Sequence, residues 1–358
     1  MRIFINNIHQ EGHNAGMKAP DDIVNILKSI NSKVVNHPGR NKGKNSKLRL
    51  IFGIIWEIRC VIYLLELLFI SIRYRNNSLI VIQFPQPYTG IIEKALFKYI
   101  LKACGYFSQR TTLLIHDILS LRFGFNPYPD IEVINSAKFA IVHTNKMSSW
   151  LRANGCQTEL IILEAFDYLC NVDGESVPSY SEKVKIAIAG NLSVEKSGYI
   201  GQLKSIDIGT ASFQLFGKLT DELKVTGEQT FYNGVFAPDD PGILNAHFGL
   251  VWDGDNIETC SGFLGKYLEY NAPHKLSLYL TLGIPVIIWD KAATAELIEK
   301  NNAGILVSSL HNIKEELKKL DESKYLDMVA GANKLKKRMR EGEFLLNAIH
   351  TIKKENLK

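Results

Sequence analysis

The chain has 358 residues, 46% of them hydrophobic, enough for about two ordinary buried cores, which excludes a disordered or fibrous protein. Its 42 basic and 37 acidic residues leave a net charge of +5, too mild a surplus to argue for a nucleic-acid partner. The five cysteines, Cys60, Cys104, Cys156, Cys170 and Cys260, are scattered and contain no CxxC pair, so they support neither a disulfide framework nor a zinc site and point to a reducing cytoplasm.

In chain order, residues 1–7 (MRIFINN) read as a first strand, and the apolar core of this N-terminus is too short for a signal peptide. Residues 21–29 continue a helix. The basic run Arg40, Lys42, Lys44, Lys47 and Arg49 suits either a solvated face or an anionic membrane surface. Residues 51–74 (IFGIIWEIRCVIYLLELLFISIRY) approach the length of a bilayer span, but Glu57, Arg59 and Glu66 interrupt them, each costing about 2.5–3.5 kcal/mol at a helix centre. A helix buried in the first domain is expected here, with one edge touching the membrane interface as the other reading. Strands at 79–83, 112–115, 139–143 and 159–163 alternate with helices at 91–103 and 146–153, the pattern of a parallel sheet wrapped on both faces.

Residues 171–182 (NVDGESVPSYSE) turn polar and lose periodicity, as a linker does. A second α/β unit follows, with strands at 185–189, 212–216, 248–252 and 285–289 and a short edge at 305–307. The last stretch, 320–358, has apolar residues at helical spacing and a second basic run, Lys334, Lys336, Lys337, Arg338 and Arg340. The expected division is 1–170, the 171–182 linker, 183–335, and a final helix at 336–358 packing back on the first domain. Two such units in tandem, each open at the C-terminal ends of its strands, face each other across a cleft that takes the ligand.

Several motifs fall on that cleft. Gly190, Asn191 and Leu192, with Lys196 just after, follow the first strand of the second unit; glycine lets a ligand approach the backbone and the lysine balances negative charge, although a plain βα turn has the same look. Phe216 and Gly217 end the next strand and Tyr232 follows, a set that suits stacking a base or simply packing a core. Asp253-Gly254-Asp255 has the form of a metal-binding DxD, or serves loop turns and sugar hydroxyls; the two-domain organisation argues against the metal. Asn271, Pro273, His274, Lys275 and Ser277 open a helix, where unsatisfied N–H groups and the helix dipole favour a diphosphate, capping and a solvated lysine being the plainer account. In the first half, His13, Asn14, Ala15, Gly16 and Lys18 follow strand one and face the cleft, while His116 and Asp117 end a strand with Arg122 beyond. An acid beside a histidine at a strand end is placed to take a proton from an acceptor hydroxyl, or forms a structural pair. No hydrolase triad or GxSxG is present.

The segments AGNLS with Lys196, FGLVWDGDNIETCSG, YLEYNAPHKLSLYL and PVIIWDKAATAELI, together with NAGMKA, LIHDILSLR, 143–147 and Phe166-Asp167-Tyr168-Leu169, resemble bacterial β-1,6-galactofuranosyltransferases of the O-antigen type. Glucosyltransferases that extend sugars on serine-rich adhesins share a looser version. The resemblance implies a GT-B fold of two Rossmann-like domains, a UDP-sugar donor held by the second domain, and a glycan or lipid-linked acceptor presented by the first. It implies inverting transfer with no metal and no other cofactor. Gly190, Asn191, Lys196, Phe216 and Gly217 would then lie by the donor, Asn271, His274, Lys275 and Ser277 by its diphosphate, and His116, Asp117 and Arg122 in the cleft with Asp117 as base; His13 does not fall on the family pattern. The matching alternatives are a UDP-glucose enzyme and a non-catalytic glycan-binding protein of the same fold. A cytoplasmic protein lying peripherally on the anionic inner membrane is expected, and a homo-oligomer is compatible with all of this.

Overall fold

In a computed structural model the described residues are 1–8, 15–39, 49–75, 77–85, 90–170, 177–181, 183–220, 223 and 227–355, without the side chains of Ala15 and Arg49. His13, Asn14, the basic residues Arg40, Lys42, Lys44 and Lys47, and most of the 171–182 stretch lie outside them.

The first sheet is parallel and six-stranded, in the order β2-β1-β3-β4-β5-β6. Its strands are β1 (Arg2–Asn7), β2 (Lys33–Asn36), β3 (Ser78–Phe84), β4 (Thr111–Ile115), β5 (Phe139–Val142) and β6 (Glu159–Ile162). Strands β4 and β5 are buried along their whole length, which is why β5 reads as an unbroken apolar run and β4 as one after its two opening threonines. The second sheet, also parallel and six-stranded, runs β12-β11-β10-β7-β8-β9. It comprises β7 (Lys185–Leu192), β8 (Ser212–Leu219), β9 (Thr230–Tyr232), β10 (Phe248–Val251), β11 (Val286–Trp289) and β12 (Gly304–Val307). Read from β9, this is the dinucleotide-binding order 3-2-1-4-5-6, and ligands of such sheets sit beyond the strand ends at the switch point, here between β7 and β10. The corresponding point in the first sheet lies between β1 and β3. Sequence periodicity missed β2 and β9, short edge strands with few buried side chains to mark them.

Helix α1 (Ala15–Ser29) follows β1 and α2 (Arg49–Arg73) follows β2. Helix α2 buries one face, through Trp56, Cys60, Tyr63, Leu64, Leu67 and Ile70, and leaves the opposite one exposed, so it is not the wholly buried helix that its composition suggests. No helix among the described residues is long and apolar enough to cross a membrane. Helix α3 (Ile91–Ser108) packs beside α2; the Glu57 carboxylate accepts from the Ile91 and Ile92 N–H groups at 2.6 and 3.2 Å, capping α3 from its neighbour. Helices α4 (Leu119–Phe123), α5 (Tyr128–Ile134) and α6 (Asn145–Ala153) complete the first unit.

In the second unit, α7 (Val194–Ser197), α8 (Gly262–Tyr267), α9 (His274–Thr281), α10 (Ala295–Lys300) and α11 (Ile313–Lys318) surround the sheet. Helix α9 is fixed beneath β7 by Tyr279, whose hydroxyl donates to Ala187 O at 3.1 Å and accepts from Ala189 N at 2.8 Å. A side chain at Gly249 would collide with the Tyr279 ring, so β10 can pass over α9 only as glycine.

Two terminal helices join the units. Helix α12 (Glu322–Arg340) lies on α9, with Arg340 Nε donating to Thr281 O at 2.9 Å, and α13 (Glu343–Lys354) turns back onto α1 and β6. The first N–H groups of α13, at Phe344 and Leu345, donate to the buried Asp167 carboxylate at 3.2 and 2.8 Å. Burial pushes the Asp167 carboxyl up to about 7, against the pull of those two donors. Arg338 bonds Glu343 at 2.8 Å and lies over the Phe344 ring, so together with Arg340 it makes much of the second basic run a joint between helices rather than a charged surface.

Candidate active site

The strand ends of the two sheets meet around Phe166, in the crossing segment after β6. His116, at the end of β4, stacks on the Phe166 ring at 5.6 Å with a 2° interplanar angle; His143, at the end of β5, and His274, at the start of α9, approach it edge-on at 4.9 and 6.1 Å. Each imidazole is held as the neutral form. Burial pushes His116 down to about 3, and burial followed by the charges of Lys18 and Lys196 pushes His274 to about 3. His143 is also shifted down by burial, and its tautomer follows from its partners: Nδ1 accepts from Ala272 N at 3.2 Å, so Nε2 carries the proton and donates to Ile115 O at 2.9 Å. That ring thereby pins the loop before α9 to the first sheet, as does Thr144 Oγ1, which donates to Tyr270 O at 2.5 Å.

On the first-sheet side, a relay of side chains spans the switch point. Gln83 Nε2 donates to Asn6 O at 3.0 Å, which leaves Gln83 Oε1 to accept from His116 Nε2 at 2.7 Å. Asn6 is buried; its Oδ1 accepts from Gln83 N at 2.7 Å, and its Nδ2 has no partner. Asp117 sits beside this relay, half-buried, with Oδ2 accepting from Arg122 Nη1 at 2.7 Å. The Tyr267 hydroxyl of α8 borders Asp117 and accepts from Ile118 N at 3.1 Å, so the Asp117-Arg122 pair lies where the two units touch.

On the second-sheet side, α9 begins with Pro273 as its N-cap, which offers no side-chain cap to the first-turn N–H groups. Two buried polar atoms at that end, Asn271 Oδ1 and His274 Nε2, have no partner, and neither has Thr294 Oγ1 at the start of α10, next to Ala293, whose N–H donates to Leu268 O at 2.8 Å. Buried polar atoms of this kind are normally satisfied, so such a group beside an uncapped helix marks a place built for a polar ligand.

The two lysines differ sharply. Lys275 Nζ is buried, donating to Asp253 Oδ1 at 2.6 Å and to Trp252 O at 2.9 Å; burial lowers its pKa, with Asp253 opposing. Lys196 is 29% exposed and its Nζ lies 3.9 Å from Asp253 Oδ2, close enough to feel the carboxylate and open enough to meet a ligand. Asp253 and Asp255 do not share a site. Asp253 is the buried counter-ion of the lysines, while Asp255 is exposed and accepts from Ser261 Oγ. Between them Gly254 has φ +107°, and a side chain there would run into Ser261. The described residues contain one group of potential metal ligands, His37, Cys60 and Glu93, and it is buried between β2, α2 and α3, away from Asp253.

Other expected contacts are redirected. Ser277 is buried and donates to Phe166 O at 2.6 Å, so it positions the crossing segment instead of meeting a diphosphate. Leu192 and Phe216 are core residues. Gly217, at φ +142°, is glycine because a side chain would collide with Gly190 O on the neighbouring strand, whereas the same construction at Gly190, φ +120°, meets open space. The Tyr232 hydroxyl donates to Gly217 O at 3.0 Å, holding β9 to β8. Asn191 is exposed, with Oδ1 accepting from Ser193 N at 3.1 Å. Lys18 is no free cleft cation: it bonds Asp22 Oδ1 and Leu169 O at 2.7 Å each and Asp239 Oδ1 at 2.9 Å, tying α1 to a loop of the second unit. Gly16 is exposed in the first turn of α1.

Family models described as the glucosyltransferase 3-like N-terminal and C-terminal domains match residues 2–165 and 186–352. The chain is 30% identical to the β-1,6-galactofuranosyltransferase WbbI of Escherichia coli K12, over 98% of this chain and 97% of that protein. The chain belongs to the glucosyltransferase 3-like family. It is 23% identical to glucosyltransferase 3 of Streptococcus parasanguinis over 75% of this chain and 77% of that protein. Its fold matches Anabaena HepE in complex with UDP-glucose at a TM-score of 0.59 and 13% identity, over 99% and 100% of the two chains. The outer-core galactosyltransferase WaaB matches at 0.56 and 14%, over 98% and 99%. The family member described here is accordingly a hexosyltransferase of GT-B architecture.

Sequence reading of this glucosyltransferase 3-like chain missed Asn6, Gln83, His143, Phe166, Tyr267 and Thr294. They come from strand ends, from helix ends and from the segment that crosses between the units, in different parts of the chain, and only the meeting of the two sheets groups them. His143, Phe166, Tyr267 and Thr294 lie in segments that carry the family resemblance, though without a role; for Asn6 and Gln83 the signal was position, since polar residues near the ends of apolar strands are out of character for a fully buried strand.

Proposed function

We propose that the enzyme transfers galactofuranose from UDP-galactofuranose to a glycan or lipid-linked acceptor in surface polysaccharide assembly, at the inner face of the membrane, with inversion and without a metal. The carrying observation is the pair of unpartnered buried atoms, Asn271 Oδ1 and His274 Nε2, at the uncapped start of α9, with Lys196 near enough to act on His274. In this reading the diphosphate takes the α9 N–H groups and Lys196, and the helix dipole stabilises the charge that develops on the leaving group. Lys275, bonded to Asp253, supplies fixed positive charge from below. Gly190 gives the donor room at the end of β7.

From the opposite sheet Asp117 takes the proton of the acceptor hydroxyl as that oxygen attacks the anomeric carbon, and the UDP oxygen departs on the far side, which inverts the configuration. Arg122 holds the carboxylate in place, and His116, its Nε2–H committed to Gln83, keeps a neutral ring next to the reacting sugar. The acceptor is held by Asn6 Nδ2 and its neighbours at the first switch point.

UDP-glucose is the alternative donor, favoured by the glucosyltransferase 3-like family and by glucosyltransferase 3 of Streptococcus parasanguinis. Incubation of the purified enzyme with each UDP-sugar and a simple glycoside, with and without EDTA, tests the reading. Turnover of UDP-galactofuranose insensitive to EDTA is expected; transfer from UDP-glucose alone, or no binding of UDP by calorimetry, refutes it.

A further inference from the structure

Helix α2 has two apolar faces, and among the described residues only one of them is packed against the rest of the protein. Ile51, Ile54, Ile58, Ile62, Leu65 and Phe69 recur at intervals of three and four residues and are each more than half exposed, on the side opposite Trp56, Cys60, Tyr63 and Leu67. At about 100° per residue they form one stripe along about five turns. Monomeric proteins rarely expose so continuous an apolar surface without using it. Along one edge of the stripe, Ile54, Ile58, Val61, Ile62 and Ile92, with the Glu57 that caps α3, line a groove of about 320 Å³ between α2 and α3.

The fringe of the stripe says what covers it. Arg59, Arg73, Lys94 and Lys102 are exposed on these two helices against Glu66 as the exposed acid, since Glu57 caps α3 and Glu93 is buried. Tyr99 and Tyr106 stand out from α3 at 63 and 68% exposure, and Lys98 lies over the Tyr99 ring. An apolar stripe edged by cations and tyrosines matches a lipid interface, where the apolar side chains enter the acyl boundary and the fringe meets anionic headgroups. A second copy of the chain fits less well, because a two-fold contact would bring these cations toward their own equivalents, and interface cores are poor in lysine.

Orientation adds to this. Helices α2 and α3 connect parallel strands, so each starts at the C-terminal edge of the first sheet, and Leu50, Ile51, Ile91 and Ile92 stand at the edge that carries His116 and Asp117. We propose that the α2-α3 stripe docks the enzyme on an anionic phospholipid bilayer and thereby brings the mouth of the cleft to the membrane surface. This rests on, and gives a place to, the reading that the acceptor is lipid-linked.

The test is co-sedimentation of the full-length enzyme with phosphatidylcholine vesicles, with and without phosphatidylglycerol, at low and high salt. Binding to the anionic vesicles, weakened by salt, is expected. The double variant Ile58→Asp, Ile62→Asp is expected to lose at least about tenfold in vesicle affinity, and Lys94→Glu, Lys102→Glu roughly tenfold or more. Both are expected to keep the wild-type melting temperature and transfer to a soluble glycoside. Wild-type enzyme that stays in the supernatant, stripe variants that bind as wild type does, or a hydrodynamic mass that falls to the monomer's in those variants each overturns the proposal. Stripe-dependent vesicle binding in an enzyme that never uses a lipid-linked acceptor supports the docking surface and refutes the acceptor reading alone.

Discussion

The two lysines of the donor side give the sharpest test, because the structure assigns them different work. Lys275 is buried against Asp253 at 2.6 Å, and Lys196 stands 3.9 Å from the same carboxylate with nearly a third of its side chain exposed. Replacing Lys275 with alanine leaves a buried carboxylate facing one distant ammonium, and breaking a buried pair in this way costs about 3–5 kcal/mol. For a domain of this size that is a fall in melting temperature of roughly 6–20 °C. Replacing Lys196 with alanine removes a charge that folding does not need, so stability changes by less than about 0.5 kcal/mol. What it loses is a charge-assisted bond to the diphosphate, about 1.5–3 kcal/mol, or roughly 10- to 150-fold in UDP affinity. Thermal unfolding and UDP calorimetry on the two single variants separate the effects. The double change Asp253→Asn, Lys275→Met should recover part of the stability lost in Lys275→Ala, since it removes both charges together. A Lys275→Ala protein with unchanged melting temperature and abolished UDP binding would refute this division of roles and make Lys275 the phosphate ligand.

The remaining predictions concern other parts of the molecule. Asp117→Asn should lower kcat by about 10²–10⁴ with little change in UDP affinity, measured in a donor-saturated transfer assay; unchanged kcat rules Asp117 out as the base. Gly217→Ala should destabilise the second unit by at least about 1–3 kcal/mol in chemical denaturation, because its φ of +142° and its approach to Gly190 both forbid a side chain. Asp167, whose carboxyl is pushed up to about 7 in the fold, takes up a proton in the native state before the unfolded one does. The wild type should therefore gain stability relative to Asp167→Asn as pH falls from 8 to 5, by about 2–3 kcal/mol, and lose that advantage as pH rises through 7; a pH-independent difference contradicts the shift.

Much of the architecture is legible in the chain before it folds. Buried strands such as β4 and β10 announce themselves as apolar runs, because both faces of a parallel strand are covered, and the polar break after each one marks a strand end where the cleft had to be. The helix at Pro273-His274 was visible for the same local reason, proline being at home where N–H groups go unsatisfied. Partnership was not visible. Whether a lysine meets a ligand or a buried carboxylate, whether Gly217 makes room for a donor or for Gly190, and whether Ser277 bonds a phosphate or Phe166 O depend on which strand ends and helices are brought together. Hydropathy likewise gave α2 its helix but not its two faces, since a stripe of isoleucines reads the same whether a core or a solvent lies against it. Sequence by itself determined the order of the buried strands and the helices between them, the two α/β units and the likeness to hexosyltransferases, because these follow from local periodicity and short motifs; the edge strands β2 and β9 escaped it. The tertiary structure alone decided which charges are spent on one another and which polar atoms are left for a substrate, because those depend on distances between residues far apart in the chain.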